Sequence, residues 1–286
     1  MSLIVRRVIF YLLFFTFIIL APIVVAYTAG YRWSSTQRKI VKTGALSITT
    51  IPTEAAVMLN DQTNLTYTPS LITNLLPGSY AIKITKSGYQ PWGKNLTIAE
   101  EKTTFAHNVS LFKISKPELF SSIENSPAVP ETPESLGDFK VWYDRNLKKI
   151  VINNNKIQQR IAELTAQNAR WRKDPVPLLF AYGPHELWQY NPQSQNTALI
   201  TRLAEDINFV IPIPREETIL MIISSGLASP NRYTIRALEL DLRDHQNSWD
   251  LAKFDDIKKA TLNEDGKILE VDGIYQGKSG LWQLQL

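Results

Sequence analysis

The most constraining feature of this 286-residue chain is a long uncharged run close to its N-terminus. No charged residue occurs in residues 8–31, between Arg7 and Arg32. A helix of about 20 apolar residues crosses the hydrocarbon core of a bilayer and satisfies its own backbone polar groups there. Aromatic side chains that favour the membrane interface lie near both ends of the run: Tyr11, Tyr27, Tyr31 and Trp33. We therefore predict a single-pass anchor in residues 1–33, with residues 8–31 contacting the lipid bilayer.

The same run permits a second interpretation, a cleavable signal peptide. Arg6 and Arg7 would form its basic start, and Val24-Val25-Ala26 is an acceptable cleavage site. The apolar run continues through that site, which favours the anchor. In either case the rest of the chain enters the secretory route.

The orientation of the anchor follows from the basic residues on its two sides. A plain positive-inside count would place the long C-terminal part in the cytoplasm, because more basic residues follow the run than precede it: Arg32, Arg38, Lys39 and Lys42. Against this, Arg6 and Arg7 directly precede the apolar run at the extreme N-terminus, as in an export signal. We expect the N-terminus in the cytoplasm and the C-terminal domains outside it.

Composition excludes several kinds of chemistry. The absence of cysteine removes disulfides, thiolate metal sites and cysteine nucleophiles. The three histidines, His107, His185 and His245, disfavour a centre of several histidine ligands. A net charge of +4, scattered along the chain, disfavours a nucleic-acid partner.

The region after the anchor reads as a small β domain. Residues 34–43 are predicted as a polar, basic spacer. From Gly44 onward apolar residues alternate with polar ones, and turn residues such as Asn60-Asp61 and Leu76-Pro77-Gly78 separate the alternating stretches. Roughly six or seven short strands of this kind favour a β-sandwich over residues 44–112.

This region also carries a set of spaced motifs, which are Leu46-x-Ile48 before Pro52, Ala56-x-x-Leu59-Asn60, Thr68-Pro69, Leu76-Pro77-Gly78-x-Tyr80, and Lys86-x-Gly88-Tyr89 followed by Trp92. In these motifs residues 44–112 resemble the PEGA domain, a family named for a Pro-Glu-Gly-Ala signature in bacterial and archaeal surface proteins. Two glycines usual in the family are missing, one replaced by Ala55 and one before Thr68-Pro69. The resemblance implies a non-catalytic surface module that interacts with envelope polymers or surface-layer proteins.

The remainder of the chain divides into a linker and a second β domain. Residues 113–137 contain Pro117, Pro127, Pro130 and Pro133, and we predict an extended, mobile linker. Residues 138–286 show a ragged repeat of roughly 30 to 45 residues in about four units, which resembles a β-propeller. The propeller would be small, incomplete or completed by another chain. Residues 156–170 break the pattern, and a short helix or an irregular strand is predicted there.

Four features of the sequence suggest binding or catalytic chemistry, and each also has a simpler structural interpretation. The segment from Gly273 to Ser279 resembles a phosphate loop but is one residue short, which favours a hairpin turn. Ser224-Ser225-Gly226 lacks the first glycine of a serine-hydrolase elbow and reads as a loop. Asp241-Leu242-Arg243-Asp244-His245 holds three metal-capable side chains but favours a turn with local Asp–Arg pairing. Six tryptophans favour core positions, although some could line a glycan groove: Trp92, Trp142, Trp171, Trp188, Trp249 and Trp282.

These observations predict an all-β protein with an N-terminal transmembrane helix, a PEGA-like β-sandwich and a β-propeller-like domain. The predicted function is a non-catalytic binding or structural role at a bacterial cell envelope, with an envelope polymer or surface-layer protein as the partner. We predict no catalytic residue, cofactor or metal. The alternative is an envelope enzyme or sensor whose propeller-like domain binds a small molecule or peptide.

Overall fold

The computed structural model describes residues 3–35, 38–60, 66–121, 135–174, 176–226 and 231–286. It begins with one helix, α1 (Leu3–Thr28), which contains Pro22. This helix is the one span in the described residues that is long and apolar enough to cross a membrane, and none of that span is buried against the protein. A membrane anchor and a signal sequence both fit such a helix.

A β-hairpin follows the helix, and it occupies the end of the predicted anchor (residues 1–33) as well as most of the predicted polar spacer (residues 34–43). Its strands are β1 (Tyr31–Ser34) and β2 (Lys39–Lys42). The spacer prediction missed the pairing because each strand is short and carries basic residues. Val41 and Ser34 nevertheless turn inward and are almost completely buried.

The next region is a sandwich of two sheets, as the alternating pattern predicted. Its strands are β3 (Gly44–Ile51), β4 (Ala56–Leu59), β5 (Thr66–Tyr67), β6 (Ser70–Leu75), β7 (Gly78–Thr85), β8 (Trp92–Ile98) and β9 (Thr103–Ser110). One sheet has the order β6-β3-β9, with β3 and β9 parallel, and the other has the order β5-β4-β7-β8. Alternate residues of each strand, such as Leu46 and Ile48 of β3, fill the core between the sheets.

The segment predicted as a linker contains a strand. In it, β10 (Glu118–Ser121) pairs with the last strand of the chain. Residues 122–134, which hold three of the four prolines of the predicted linker, lie outside the described residues.

The C-terminal region contains four antiparallel sheets in chain order, and the first three are simple meanders. They are formed by β11 (Phe139–Asp144), β12 (Lys149–Asn154) and β13 (Gln159–Leu164); by β14 (Asn168–Arg172), β15 (Leu178–Tyr182), β16 (Glu186–Asn191) and β17 (Asn196–Arg202); and by β18 (Asp206–Pro212), β19 (Thr218–Ser224), β20 (Tyr233–Glu239) and β21 (Ser248–Phe254). The fourth sheet has the order β10-β24-β23-β22, with β22 (Asp256–Leu262), β23 (Ile268–Tyr275) and β24 (Lys278–Gln285). Residues 156–170 form β13 and the start of β14, so the strand alternative is confirmed and the helix is not formed.

The four sheets stack through three hydrophobic clusters. These join the first sheet to the second, the second to the third and the third to the fourth. Strands β15 and β19 are buried along their whole length because their sheets each lie between two others. In the described ranges no such cluster joins the fourth sheet to the first, and closure into a propeller ring stays a prediction.

Candidate functional site

The sandwich and the third C-terminal sheet meet at a junction that contains a buried ion pair. Lys94 of β8 has no exposed side-chain surface, and its Nζ lies 2.9 Å from Oε2 of Glu239 and 3.4 Å from Oδ2 of Asp241. The Lys94 ammonium also donates a hydrogen bond to the Asp241 carbonyl at 2.8 Å. A charge placed this deep is tolerated only when partners replace its lost water.

The Glu239 carboxylate is the centre of this network. Its Oε1 accepts a hydrogen bond from the indole Nε1 of Trp92 at 2.9 Å, and its Oε2 accepts one from Nδ2 of Asn247 at 2.8 Å. Asn247 Nδ2 also donates to the carbonyl of Gly93 at 3.1 Å, which is a further contact between the two domains. Lys94, Trp92 and Asn247 therefore satisfy both carboxylate oxygens of Glu239.

The loop between β20 and β21, residues 240–247, docks onto the sandwich. Arg243 pairs with Asp241, at 2.7 Å between Nη2 and Oδ2, and the same nitrogen donates to the carbonyl of Phe105 at 2.8 Å. Burial acts to raise the pKa of Asp241, but the hydrogen bonds from Arg243 and the charges of Lys94 and Arg243 outweigh it and leave that pKa lowered. The predicted local Asp–Arg pairing is confirmed, whereas the docking role was not foreseen.

Asp244 of the same loop contacts the sandwich directly. Its Oδ2 accepts a hydrogen bond from the backbone amide of Asn95 at 2.8 Å and lies 2.7 Å from Nδ1 of His245. The amide of Asn95, followed by His245, lowers the pKa of Asp244. The three metal-capable side chains proposed here are thus engaged with the protein, and no group of metal-ligating residues occurs in the part of the chain that the structure describes.

A second polar contact joins the end of β9 to the turn before β19. Ser110 donates a hydrogen bond from its Oγ to Oε2 of Glu216 at 2.5 Å and accepts one from Thr218 at 3.1 Å. Burial raises the pKa of Glu216, and the hydrogen bond from Ser110 opposes that rise only in part. Arg172, buried in the second sheet, donates to the Glu216 carbonyl at 2.7 Å.

An open cleft of about 310 Å³ lies at this junction. Its sandwich side includes the rings of Phe105 and His107, 4.8 Å apart in an edge-to-face arrangement, and Phe105 is 51% exposed. The C-terminal domain contributes charged groups, among them Glu217, Asp241 and Arg243. An exposed ring beside carboxylates and a guanidinium can stack on a sugar or peptide plane and hydrogen-bond to its polar groups.

A second cleft of about 370 Å³ lies near the Ser110–Glu216 contact. Its lining is more apolar and includes Tyr89, Leu111 and Phe112 together with the C-terminal residue Leu286. Phe112 is buried in the cluster between the third and fourth sheets, so the sandwich contributes a side chain to the core of the other domain.

The other sequence-predicted features take their simpler interpretations. The segment from Gly273 to Ser279 is the tight hairpin between β23 and β24, with Gln276 and Gly277 at positive φ. Ser224 ends the buried strand β19, and exposed His185 lies 3.7 Å from Asp206.

Four of the six tryptophans take core or junction positions, and the other two, Trp142 of β11 and Trp188 of β16, are half-buried. Trp171 and Trp282 are buried among the stacked sheets, as predicted for core residues. Trp92 and Trp249 line the first cleft, and Trp249 donates to the carbonyl of Pro91 at 3.1 Å. Sequence reasoning singled out these tryptophans but not Phe105. The available signal was the alternation of side chains along β9, which puts Phe105 on the exposed face of the strand.

Comparison with known proteins identifies one part of the chain. Residues 43–112 match the family model of the PEGA domain, so the sandwich is a PEGA domain. No curated protein matches the chain.

Two solved structures show a weak likeness to the chain. The extracellular domain of a putative hybrid two-component system from B. thetaiotaomicron is 10% identical, with a TM-score of 0.37, over 89% of this chain and 31% of that one. A chain of a mitotic checkpoint complex is also 10% identical, with a TM-score of 0.39, over 82% of this chain and 84% of that one. The protein thus spans about a third of the first structure, and neither likeness is strong enough to support a functional inference.

Proposed function

We propose that this protein is a membrane-anchored surface protein that binds an envelope glycan polymer, without catalysis, in the cleft between its PEGA and C-terminal domains. The buried contact of Lys94 with Glu239 carries the proposal. It fixes one domain against the other, so that the exposed ring of Phe105 and the charged groups of the second domain line one cleft. A cleft whose two walls are fixed relative to each other suits capture of a polymer.

The proposal includes the location of the domains. The apolar helix Leu3–Thr28 supports attachment to a membrane, and the PEGA domain favours the cell surface. The Arg6-Arg7 pair before the helix favours a cytoplasmic N-terminus and extracytoplasmic domains.

Retention of the full-length protein on purified envelope polymers tests the proposal. The detergent-solubilised chain is expected to sediment with an insoluble cell-wall glycan, and Phe105→Ala should weaken retention by about fivefold to tenfold through loss of ring stacking. Phe120→Ala is the matched control, because Phe120 is 65% exposed on β10, outside the residues that line the cleft. No retention on any polymer, or equal retention of the two variants, would refute polymer binding in this cleft. If the chain is retained only on a surface-layer protein, that protein and not a glycan is its partner.

A further inference from the structure

The hairpin after the helix has one apolar face that no described part of the protein covers. Trp33 and Ile40 lie directly opposite each other and are 62% and 66% exposed. Tyr31 lies on the same face, because side chains alternate along a strand. Ser34 and Val41 point to the other face and are 3% and 2% exposed. The hairpin is therefore amphipathic, with its apolar and aromatic side turned away from the protein.

The position of this face along the chain places it at the membrane surface. The helical distance from Arg7 to Thr28 is about 32 Å, close to the thickness of the hydrocarbon core, roughly 30 Å. If Arg7 lies at one interface, Thr28 reaches the other. Strand β1 begins at Tyr31, and only two residues separate it from the end of the helix.

Specific contacts hold the hairpin against both the helix and the PEGA domain. The Gly30 carbonyl accepts a hydrogen bond from the amide of Thr43 at 2.9 Å, which closes the base of the hairpin. Arg32 donates to the Tyr27 carbonyl at 2.6 Å, and its guanidinium lies 3.5 Å from the centre of the Tyr27 ring. Lys42 forms an ion pair with Glu101, next to the PEGA strand β9. The hairpin therefore links the orientation of the helix to that of the domain.

The far end of the hairpin is positively charged. Arg38 and Lys39 are exposed there, and in the described ranges neither has an ion-pair partner. Arg32 and Lys42 are already engaged by the contacts above. Tryptophan and tyrosine favour the headgroup layer of a bilayer, and lipid phosphates attract such unpaired cations.

We propose that the described part of the hairpin, residues 31–35 and 38–42, forms a second membrane contact, in which Trp33 and Ile40 insert into the interface and Arg38 and Lys39 contact lipid phosphates. This contact sets the orientation of the PEGA domain, and with it the cleft, relative to the bilayer. The inference rests on the part of the proposed function that keeps the helix as an anchor.

Spin labels on single cysteines test this contact directly, since the natural chain has no cysteine. The full-length variants Ile19→Cys, Ile40→Cys and Ile157→Cys are labelled and placed in vesicles of phosphatidylethanolamine and phosphatidylglycerol. Ile157, 55% exposed, is the control in the C-terminal domain, and Ile19 reports on the helix. We expect the label at 40, like that at 19, to collide several-fold less with a water-soluble nickel chelate than the label at 157.

The possible results separate the two proposals. A label at 40 that is as accessible to the chelate as the label at 157, while 19 stays protected, overturns the hairpin contact and leaves the anchor intact. An accessible label at 19 refutes the anchor. Quenching by brominated lipids gives a second readout without cysteine, because Trp33 is the one tryptophan among the exposed large apolar residues. Trp33→Phe should abolish most of that quenching and Trp188→Phe should not; equal quenching in both variants overturns the contact.

Discussion

One lysine at the junction of the two β domains carries its charge out of reach of water, since the Lys94 side chain has no exposed surface. Lys94 is surrounded by Glu239, Asp241 and the ring of Trp92, so that its desolvation is offset only by these neighbours. Removing Lys94 leaves the Glu239 carboxylate buried without its cationic partner, which costs more than the pair itself contributes.

Lys94→Met should therefore lower the free energy of unfolding by about 3 to 5 kcal/mol. The matched control is Lys149→Met, which removes the exposed ion pair with Glu163 and should cost about 1 kcal/mol or less. Urea denaturation of each purified variant gives both values. Similar losses in the two variants would show that the junction pair is not buried in solution.

Glu216 gives the junction a pH dependence of defined sign. Because burial raises the pKa of Glu216 in the folded state above its unfolded value, the folded protein binds a proton more readily than the unfolded chain. Ionised Glu216 destabilises the folded state fully at any pH above its raised pKa. This destabilisation decreases as the pH falls from the raised pKa of the folded state to the ordinary pKa of glutamate in the unfolded chain.

Glu216→Gln should accordingly be more stable than the natural protein at neutral pH, and this advantage should shrink on acidification. Urea midpoints measured at neutral pH and across the acid range provide the test. Glu217→Gln, a change at the exposed neighbour, should leave the pH profile of the natural protein unchanged. A profile of Glu216→Gln that parallels the natural one would contradict the assigned burial.

Among the elements, β10 depends on a close approach that only glycine permits. A Cβ at Gly280 would lie 2.6 Å from Cδ1 of Leu119 and 2.8 Å from the carbonyl oxygen of Ser121, so that the backbone of β10 would have to move. The register of the fourth sheet thus depends on a residue of β24 that has no side chain.

Gly280→Ala should displace β10 and lower the free energy of unfolding by about 1 to 3 kcal/mol, the usual cost of overpacking. Hydrogen exchange should show faster exchange of the amides of β10, with the second and third sheets unchanged. Gly183→Ala is the control, because a Cβ there meets nothing within 4 Å. Unchanged protection of β10 in Gly280→Ala would mean that the strand is not paired in solution.

The elements differ in how well their sequences predicted them. The helix and the PEGA sandwich follow from local patterns, a charge-free run and apolar residues at every second position, so both were predicted. Strand β10 was not, because it is a short edge strand directly after Pro117 and its partner lies at the other end of the chain. The hairpin of β1 and β2 was missed because its basic residues suggested a spacer.

At the scale of the whole molecule, the domain junction could not be predicted from sequence. Trp92 and Glu239 share a hydrogen bond but are separated by 147 residues. Nothing in the sequence around either residue indicates that the other is its partner. Charged residues such as Lys94 and Glu239 also read as surface positions, since burial of a charge depends on partners that only the fold provides. The Asp241 to His245 segment was noticed for its chemistry, but its docking partner Asn95 was not.

In the proposed arrangement, a membrane helix carries two β domains that are joined at a polar junction, and both domains lie outside the cytoplasm. Polymer binding as proposed requires that the junction cleft face the side of the membrane where the envelope polymer lies. The proposed surface role therefore depends on the side of the membrane on which the cleft lies.

Labelling of single cysteines in intact cells tests that claim most directly. In Glu217→Cys the thiol would line the cleft, and in Ser2→Cys it would precede the helix. The account predicts that a membrane-impermeant maleimide labels position 217 in intact cells and labels position 2 only after lysis. Labelling of position 2 with protection of position 217 would place the cleft in the cytoplasm and contradict the proposed surface role.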